Sequence, residues 1–163
     1  MIVVSDTSPI NNLAAIGALD LLRALYGTVV IPEAVYAELT ATDFSVAGAI
    51  EVQTLEWIQT RTVTDLTLVE ALSNKLDPGE AEALALALAL KASEVLIDER
   101  RGRLAAKRLN LNYTGVLGVL IEAKAQGLID NVKPLLDALR DQAGFWIAES
   151  LYDRVLRFAD EKK

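Results

Sequence analysis

Three short runs of β-branched and aliphatic residues constrain the fold of this chain more than any other feature: Ile2-Val3-Val4, Val29-Val30-Ile31 and Val95-Leu96-Ile97. None of them alternates apolar with polar residues, so none has a side meant for water. Continuous runs of this kind suit strands buried on both faces, the condition of a parallel sheet covered by helices. The first run stops at Ser5-Asp6, and Thr7-Ser8-Pro9 then supplies helix-start chemistry, with Ser8 as the expected N-cap and Pro9 in the first turn. A helix to about Ile16 follows, then a second from Leu19 to Tyr26 that Gly27 breaks. After the second run, Pro32 opens a helix carrying Val35, Glu38 and Leu39.

The pattern weakens between Thr42 and Leu76. It predicts a short helix near Ala47, a strand or two within Glu51–Val63, and a helix from about Leu66 to Leu76. From Glu80 to Lys91 alanine and leucine alternate, which by period alone reads as a strand. Both residues are strong helix formers, the run is long for a strand, and Asp77-Pro78-Gly79 is a helix start, so a helix is expected. Leu84 and Leu88 then share one face and Leu86 and Leu90 nearly the opposite one, so this helix should be buried on two sides. Beyond the third run, helices are expected over about Gly102–Leu109, Leu117–Gln126 and Val132–Ala143, with an extended piece around Tyr113. Phe145-Trp146-Ile147 reads as a terminal strand before a last amphipathic helix, Ser150 to Asp160. No linker interrupts the pattern, and 163 residues suit one domain, here 1–163, with strands and helices alternating as a parallel sheet requires.

Composition removes most catalytic schemes. The chain has neither cysteine nor histidine. Disulfides, thiolate metal sites, histidine-ligated zinc and histidine general bases are therefore excluded. No apolar run approaches the roughly 18 residues a membrane span needs, and MIVVSDTSP carries no basic leader or cleavage site, so a cytoplasmic protein is expected. A net charge of −7 argues against a nucleic-acid binder when taken alone. Its distribution says more, because Arg100, Arg101, Arg103, Lys107 and Arg108 concentrate cations in one stretch, either as a solvated helix face or as a phosphate-binding patch.

In an open parallel sheet, ligands sit at the carboxyl ends of the strands. The first run terminates in Asp6 and the third in Asp98-Glu99, while the helix after the second carries Glu38 and another begins with Glu80 and Glu82. Those ends could bring four or five carboxylates to one rim. Two carboxylates 4–5 Å apart repel by roughly 3–4 kcal/mol at an effective dielectric of about 20. A divalent cation reverses that sign, and oxygen ligands select Mg²⁺ or Mn²⁺, which suits phosphodiester hydrolysis. Each acid also has a plainer role. Asp6 could cap a helix, Glu38 could be a solvated helix-face residue, Glu80 could favour a helix dipole, and Asp98-Glu99 could begin a polar loop. Ser8 and Asn12 could meet phosphate or water, although capping and surface roles suit them as well.

At these residues the chain resembles the PIN-domain nucleases, in a branch carried as a domain of unknown function. The segments that carry the resemblance are VVSDTSPINNL (Val3–Leu13), VVIPEAVYAEL (Val29–Leu39), LDPGEAEALALA (Leu76–Ala87), VLIDERRGRLAAKRL (Val95–Leu109) and YTGVLGVLIEAKAQGLI (Tyr113–Ile129). The resemblance implies a three-layer α/β/α sandwich with a central parallel sheet of about five strands. It implies an Mg²⁺- or Mn²⁺-dependent ribonuclease, often the toxin of a toxin–antitoxin pair, and with it an RNA substrate, an antitoxin partner and a homodimer. By position, Asp6, Glu38 and Asp98 match metal acids, and Glu80 matches the acid at the start of the fourth-site helix. Glu82 rivals Glu80, and Glu99 rivals Asp98. The family more often has Asp where Glu80 stands, which alters metal geometry there. Ser8 matches a small hydroxyl residue beside the first acid, and Arg100, Arg101 and Arg103 would steer substrate phosphates. Two other functions remain open: a phosphotransferase with Asp6 as nucleophile, which lacks a second acid because Ser8 stands there, and a non-catalytic interaction module with a degenerate acidic site.

Overall fold

Val3 pairs with Val29 on one side and with Glu94 on the other, which puts the first run at the centre of a sheet. The computed structural model describes residues 1–41 and 46–162. Its five strands are β1 (Val3–Ser5), β2 (Val29–Pro32), β3 (Ile58–Arg61), β4 (Glu94–Leu96) and β5 (Tyr113–Thr114), in the order β3-β2-β1-β4-β5. Every pairing is parallel.

The strand triplets lack polar alternation because each side of the sheet has its own core. Val3, Val29, Ile31 and Leu96 join one apolar cluster, and Val4, Val30, Val95 and Ile97 join the other. The first cluster is closed by α1 (Thr7–Ala15), α2 (Asp20–Tyr26), α3 (Glu33–Thr40), α4 (Ala49–Thr54), α8 (Val116–Ala125), α9 (Lys133–Asp141) and α10 (Glu149–Phe158). The second is closed by α5 (Leu66–Leu72), α6 (Pro78–Ala89) and α7 (Arg100–Arg108). This is a three-layer α/β/α sandwich. Chain progress from β1 to β3 runs outward in one direction and from β3 to β5 in the other, so right-handed crossovers put their helices on opposite faces. The direction reverses between β1 and β4, and at such a point a crevice opens at the carboxyl edge.

The Ala-Leu segment is helical, as α6, with Ala81 and Ala83 through Ala87 all buried. Elsewhere the structure corrects three expectations. Ser8 is not the N-cap of α1; Asp6 holds that position, and its side chain makes no capping hydrogen bond. Phe145-Trp146-Ile147 is not a strand: it pairs with nothing in the sheet and leads irregularly into α10. Helix α7 begins at Arg100 rather than near Gly102, which brings three arginines into its first turns. Within 51–63 there is one strand, β3, preceded by helix α4, and the helix expected near Ala47 starts at Ala49. Positions 42–45 of that weakly patterned stretch lie outside the described residues. No helix among the described residues is long and apolar enough to cross a membrane.

Candidate active site

Asp6 leaves β1 at the crevice and is 4% exposed. Its own amide donates to the carbonyl of Leu96 (2.9 Å), which continues the β1–β4 pairing up to the acid itself. Helix α3 swings Glu38 to the same place, where Thr7 Oγ1 donates to Glu38 Oε2 (2.8 Å). Helix α6 arrives from the other face and brings Asp77 at its N-cap. Gly79 marks how tightly these three meet. A Cβ there would stand 3.1 Å from Asp6 Oδ1, 3.2 Å from Glu38 Oε2 and 3.5 Å from Asp77 Oδ1. A side chain there would require the carboxylates to give way by a few tenths of an ångström. Asp6, Thr7, Ser8, Asn11, Glu38, Asp77 and Glu99 line the resulting cavity of about 210 Å³.

Asp98 lies next door. The Val116 amide donates to its Oδ1 (2.8 Å) and Ser8 Oγ to its Oδ2 (3.0 Å). Gly115 has no side chain to cap α8, so Asp98 does this from outside, and a Cβ on Gly115 would stand 2.7 Å from its Oδ1. Asn12 Nδ2 in turn donates to Ser8 Oγ (2.9 Å), so Ser8 spans the crevice from α1 to the end of β4. Asn12 supports the site without facing it.

The two rival pairs separate clearly in space. Glu80 is fully buried: Asp77 accepts from the Glu80 amide (2.8 Å) and Glu80 Oε1 accepts from the Asp77 amide (3.0 Å), a reciprocal capping box. Its second oxygen, Oε2, has no hydrogen-bond partner among the described residues. Glu82 points elsewhere and accepts from the Ala34 amide (3.1 Å), capping α3 where Pro32 offers no side-chain oxygen. Asp98 is half-buried and held by two donors, whereas Glu99 is exposed on the rim as the residue before α7. Sequence reasoning missed Asp77, because LDPGE explains Asp77 completely as a helix cap. Its one available signal was position: an N-cap at the sheet's carboxyl edge also faces the crevice.

Electrostatics follows from this crowding. Burial pushes the Asp6 carboxyl up to about 7, the adjacent Thr7 amide offsets part of that, and Asp77, Glu80 and Glu38 push it further up. Burial also raises Asp98, against the Val116 amide, Ser8 and the Arg103 guanidinium. Glu80 is raised by burial too, with Asp77 and Glu99 adding repulsion and Arg101 relieving some. Arg100, Arg101 and Arg103 are exposed, and none forms an ion pair among the described residues. As the side chains stand, no three carboxylates among those residues close on one point as a finished metal cage.

A family model described as a PIN domain matches residues 2–161. The chain belongs to the PIN-domain family. The match covers nearly the whole sequence, and the sheet order and crevice described above are those of the α/β/α sandwich expected of it. PIN domains are a nuclease-type fold that generally uses divalent metals, so hydrolysis is the coarse reading of this PIN domain. No curated protein matches the sequence.

Proposed function

We propose that this PIN domain is an endoribonuclease that hydrolyses RNA phosphodiester bonds with a divalent cation, Mg²⁺ or Mn²⁺. The observation that carries the reading is the convergence of Asp6, Glu38 and Asp77 on the edge of Gly79 at the β1/β4 crevice. Burial, and to a lesser degree the charges of Asp77, Glu80 and Glu38, raise the proton affinity of Asp6, and a cation is a partner that relieves both. The donor set is entirely oxygen, which fits Mg²⁺ or Mn²⁺. Asp6 and Glu38 would hold the ion, with Asp77 beside them and Asp98 completing the site from across Ser8. Glu38 is exposed and can reorient, while Asp77 is held by its capping box. When bound, such an ion supplies Lewis acidity and a water made more acidic than in bulk.

The chain's own residues do the rest. Thr7 holds the Glu38 carboxylate, while Ser8 and the Val116 amide hold Asp98 in place and favour its ionised form against the opposing effect of burial. Glu80 fixes Asp77 through the capping box from a fully buried position behind the site, so it positions rather than touches substrate. Arg103 and its neighbours Arg100 and Arg101 meet substrate phosphates. An aspartyl nucleophile is disfavoured, since Ser8, bonded to Asp98, stands where a second acid would be needed.

The test is cleavage of a panel of structured and single-stranded RNAs with Mg²⁺, Mn²⁺ or EDTA, by wild type and Asp6→Asn. Cleavage that needs metal and Asp6 supports the reading. No cleavage of any RNA under these conditions would leave the acidic rim as a docking site for a basic partner segment, and the interaction-module reading would replace this one. We extend the proposal to the toxin of a toxin–antitoxin pair in the cytoplasm. A gene for a short protein with a basic tail, immediately upstream, supports that extension, because such a tail complements the acidic crevice.

A further inference from the structure

The carboxylate cavity opens onto a neighbour. A second cavity of about 460 Å³ is lined by Ser8, Asp98, Glu99 and Arg103 together with Phe145 and Trp146. Ser8 and Glu99 line both cavities, so the two share a rim. The volume is in the range of small-ligand clefts, about 300–1,000 Å³. Trp146 is 83% exposed, the most exposed large apolar side chain among the described residues. Its orientation is built into the chain. Ile147 is buried in the main core, and the Phe145 amide donates to the Leu139 carbonyl (2.9 Å), so the segment is anchored on both sides of an indole that faces water.

We infer that this second cavity is a nucleobase subsite. Trp146 stacks on the base of a nucleotide adjoining the scissile bond of single-stranded RNA, and Arg103 meets the phosphate between them. The inference rests on the nuclease reading for the identity of the polymer. Three observations carry it. The exposed indole and the carboxylates border the same rim. Arg103 is near enough to Asp98 to favour its ionised form, yet makes no ion pair among the described residues and so has a cation to offer a phosphate. A protein of net charge −7 has little electrostatic grip on a nucleic acid beyond its arginine run, so a further attraction helps to hold the strand. Stacking on an aromatic face is that attraction. It tolerates any base, because every base has a π face, and it needs a base not already stacked in a duplex. The subsite therefore selects unpaired nucleotides rather than a sequence.

The chain has two tryptophans, and Trp57 is partly buried against the core, so Trp57→Phe leaves Trp146 as the reporter. In an Asp6→Asn, Trp57→Phe protein, single-stranded oligoadenylate should quench Trp146 emission, and a duplex of the same length should quench much less. On a single-stranded RNA substrate, Trp146→Ala should raise KM roughly five- to 150-fold with kcat nearly unchanged, the worth of one base stack. Trp146→Tyr should recover most of the loss, and the exposed position makes misfolding of either variant easy to exclude by its melting curve. Equal quenching by single strand and duplex overturns the inference, as does an unchanged KM in Trp146→Ala. A shift of Trp146→Ala from dimer to monomer in sedimentation, with KM intact, also overturns it by assigning the indole to a contact between copies. Quenching by single-stranded RNA from a wild-type protein that cleaves nothing would keep the subsite and sink the nuclease reading instead.

Discussion

Asp6 concentrates the electrostatic conflict of the site in one carboxyl group. In the unfolded chain it loses its proton near pH 4, whereas in the native protein it keeps that proton to about 7. Between those values the native state binds a proton that the unfolded chain has released, so stability falls as pH rises. Asp98, Glu80 and Glu94 are shifted in the same direction. The metal-free protein should therefore melt higher at about pH 5.5 than at about pH 7.5. Asp6→Asn, neutral throughout, should remove a large part of the difference while abolishing cleavage. Stability that instead rises over this interval in thermal melts would mean that Asp6 is ionised and satisfied. Asp77 and Glu82 make a second contrast at this scale. Asp77→Asn should lower kcat/KM at least about tenfold and change stability by no more than about 1 kcal/mol, since Asn caps a helix nearly as well as Asp. Glu82→Gln should leave cleavage intact, because a Gln carbonyl can still accept from the Ala34 amide. Comparable losses in the two variants would place Glu82 in the site.

Helix α7 breaks an ordinary rule. It has no acid in its first turn and carries Arg100, Arg101 and Arg103 there, against the positive end of its own dipole. Such violations tend to mark functional positions. Replacing each arginine with Gln should raise stability slightly, about 0.3 kcal/mol each at these screened positions. It should also weaken RNA binding and flatten its salt dependence, by about 0.7 in log K per log salt for each single-strand phosphate no longer neutralised. Binding measured across a salt series checks both effects. Unchanged slope in the triple variant would make the run a solvated helix face. The same helix explains a boundary error, since a start placed near Gly102 hides the conflict between the arginines and the dipole. Helix α6 was legible for the opposite reason: its apolar residues cover all sides, and burial on all sides is what it has. Strand β3 was legible only to within Glu51–Val63, because only Ile58 is buried and the next three residues are exposed at a sheet edge. Phe145-Trp146-Ile147 has the composition of a strand, but no strand edge is paired with it.

At the scale of the molecule, doubly wound topology and acid placement combine. The reversal between β1 and β4 opens the crevice, and carboxylates from β1, α3, α6 and the end of β4 converge there in a protein that is already acidic overall. The folded state alone assembles this cluster, so an ion that binds it stabilises folding. At a hundredfold excess over its dissociation constant, Mn²⁺ should add about 2.7 kcal/mol. For a chain of this length that is a rise in Tm on the order of 5–10 °C. Since three acids do not close on one point beforehand, binding has to reorient side chains, and millimolar concentrations are the range to scan. NaCl at matched ionic strength controls for general screening of the net charge. Asp6→Asn should lose most of the ion-specific increment. Equal shifts with Mn²⁺ and with NaCl, in mutant and wild type alike, would remove the metal from the proposal.

The parallel α/β class, the positions of β1, β2 and β4, and the acids at the ends of β1 and β4 follow from local chemistry. Unbroken Val, Ile and Leu favour burial on both faces, which all of them but the exposed Ile2 reach, and an acid just after such a strand lies at the sheet's carboxyl edge. The choice among adjacent acids depended on tertiary structure. Glu80 and Glu82 carry the same side chain two residues apart, and their roles diverge because one meets Asp77 in a capping box and the other meets the bare N-terminus of α3. Asp77 looked complete as a cap until α6 was laid across β1, where the cap also faces Asp6 and Glu38. Ser8 could as well have capped α1, but the approach of β4 to β1 offers it Asp98. Distances between side chains far apart in sequence are set by how the layers pack, and no local pattern carries that information.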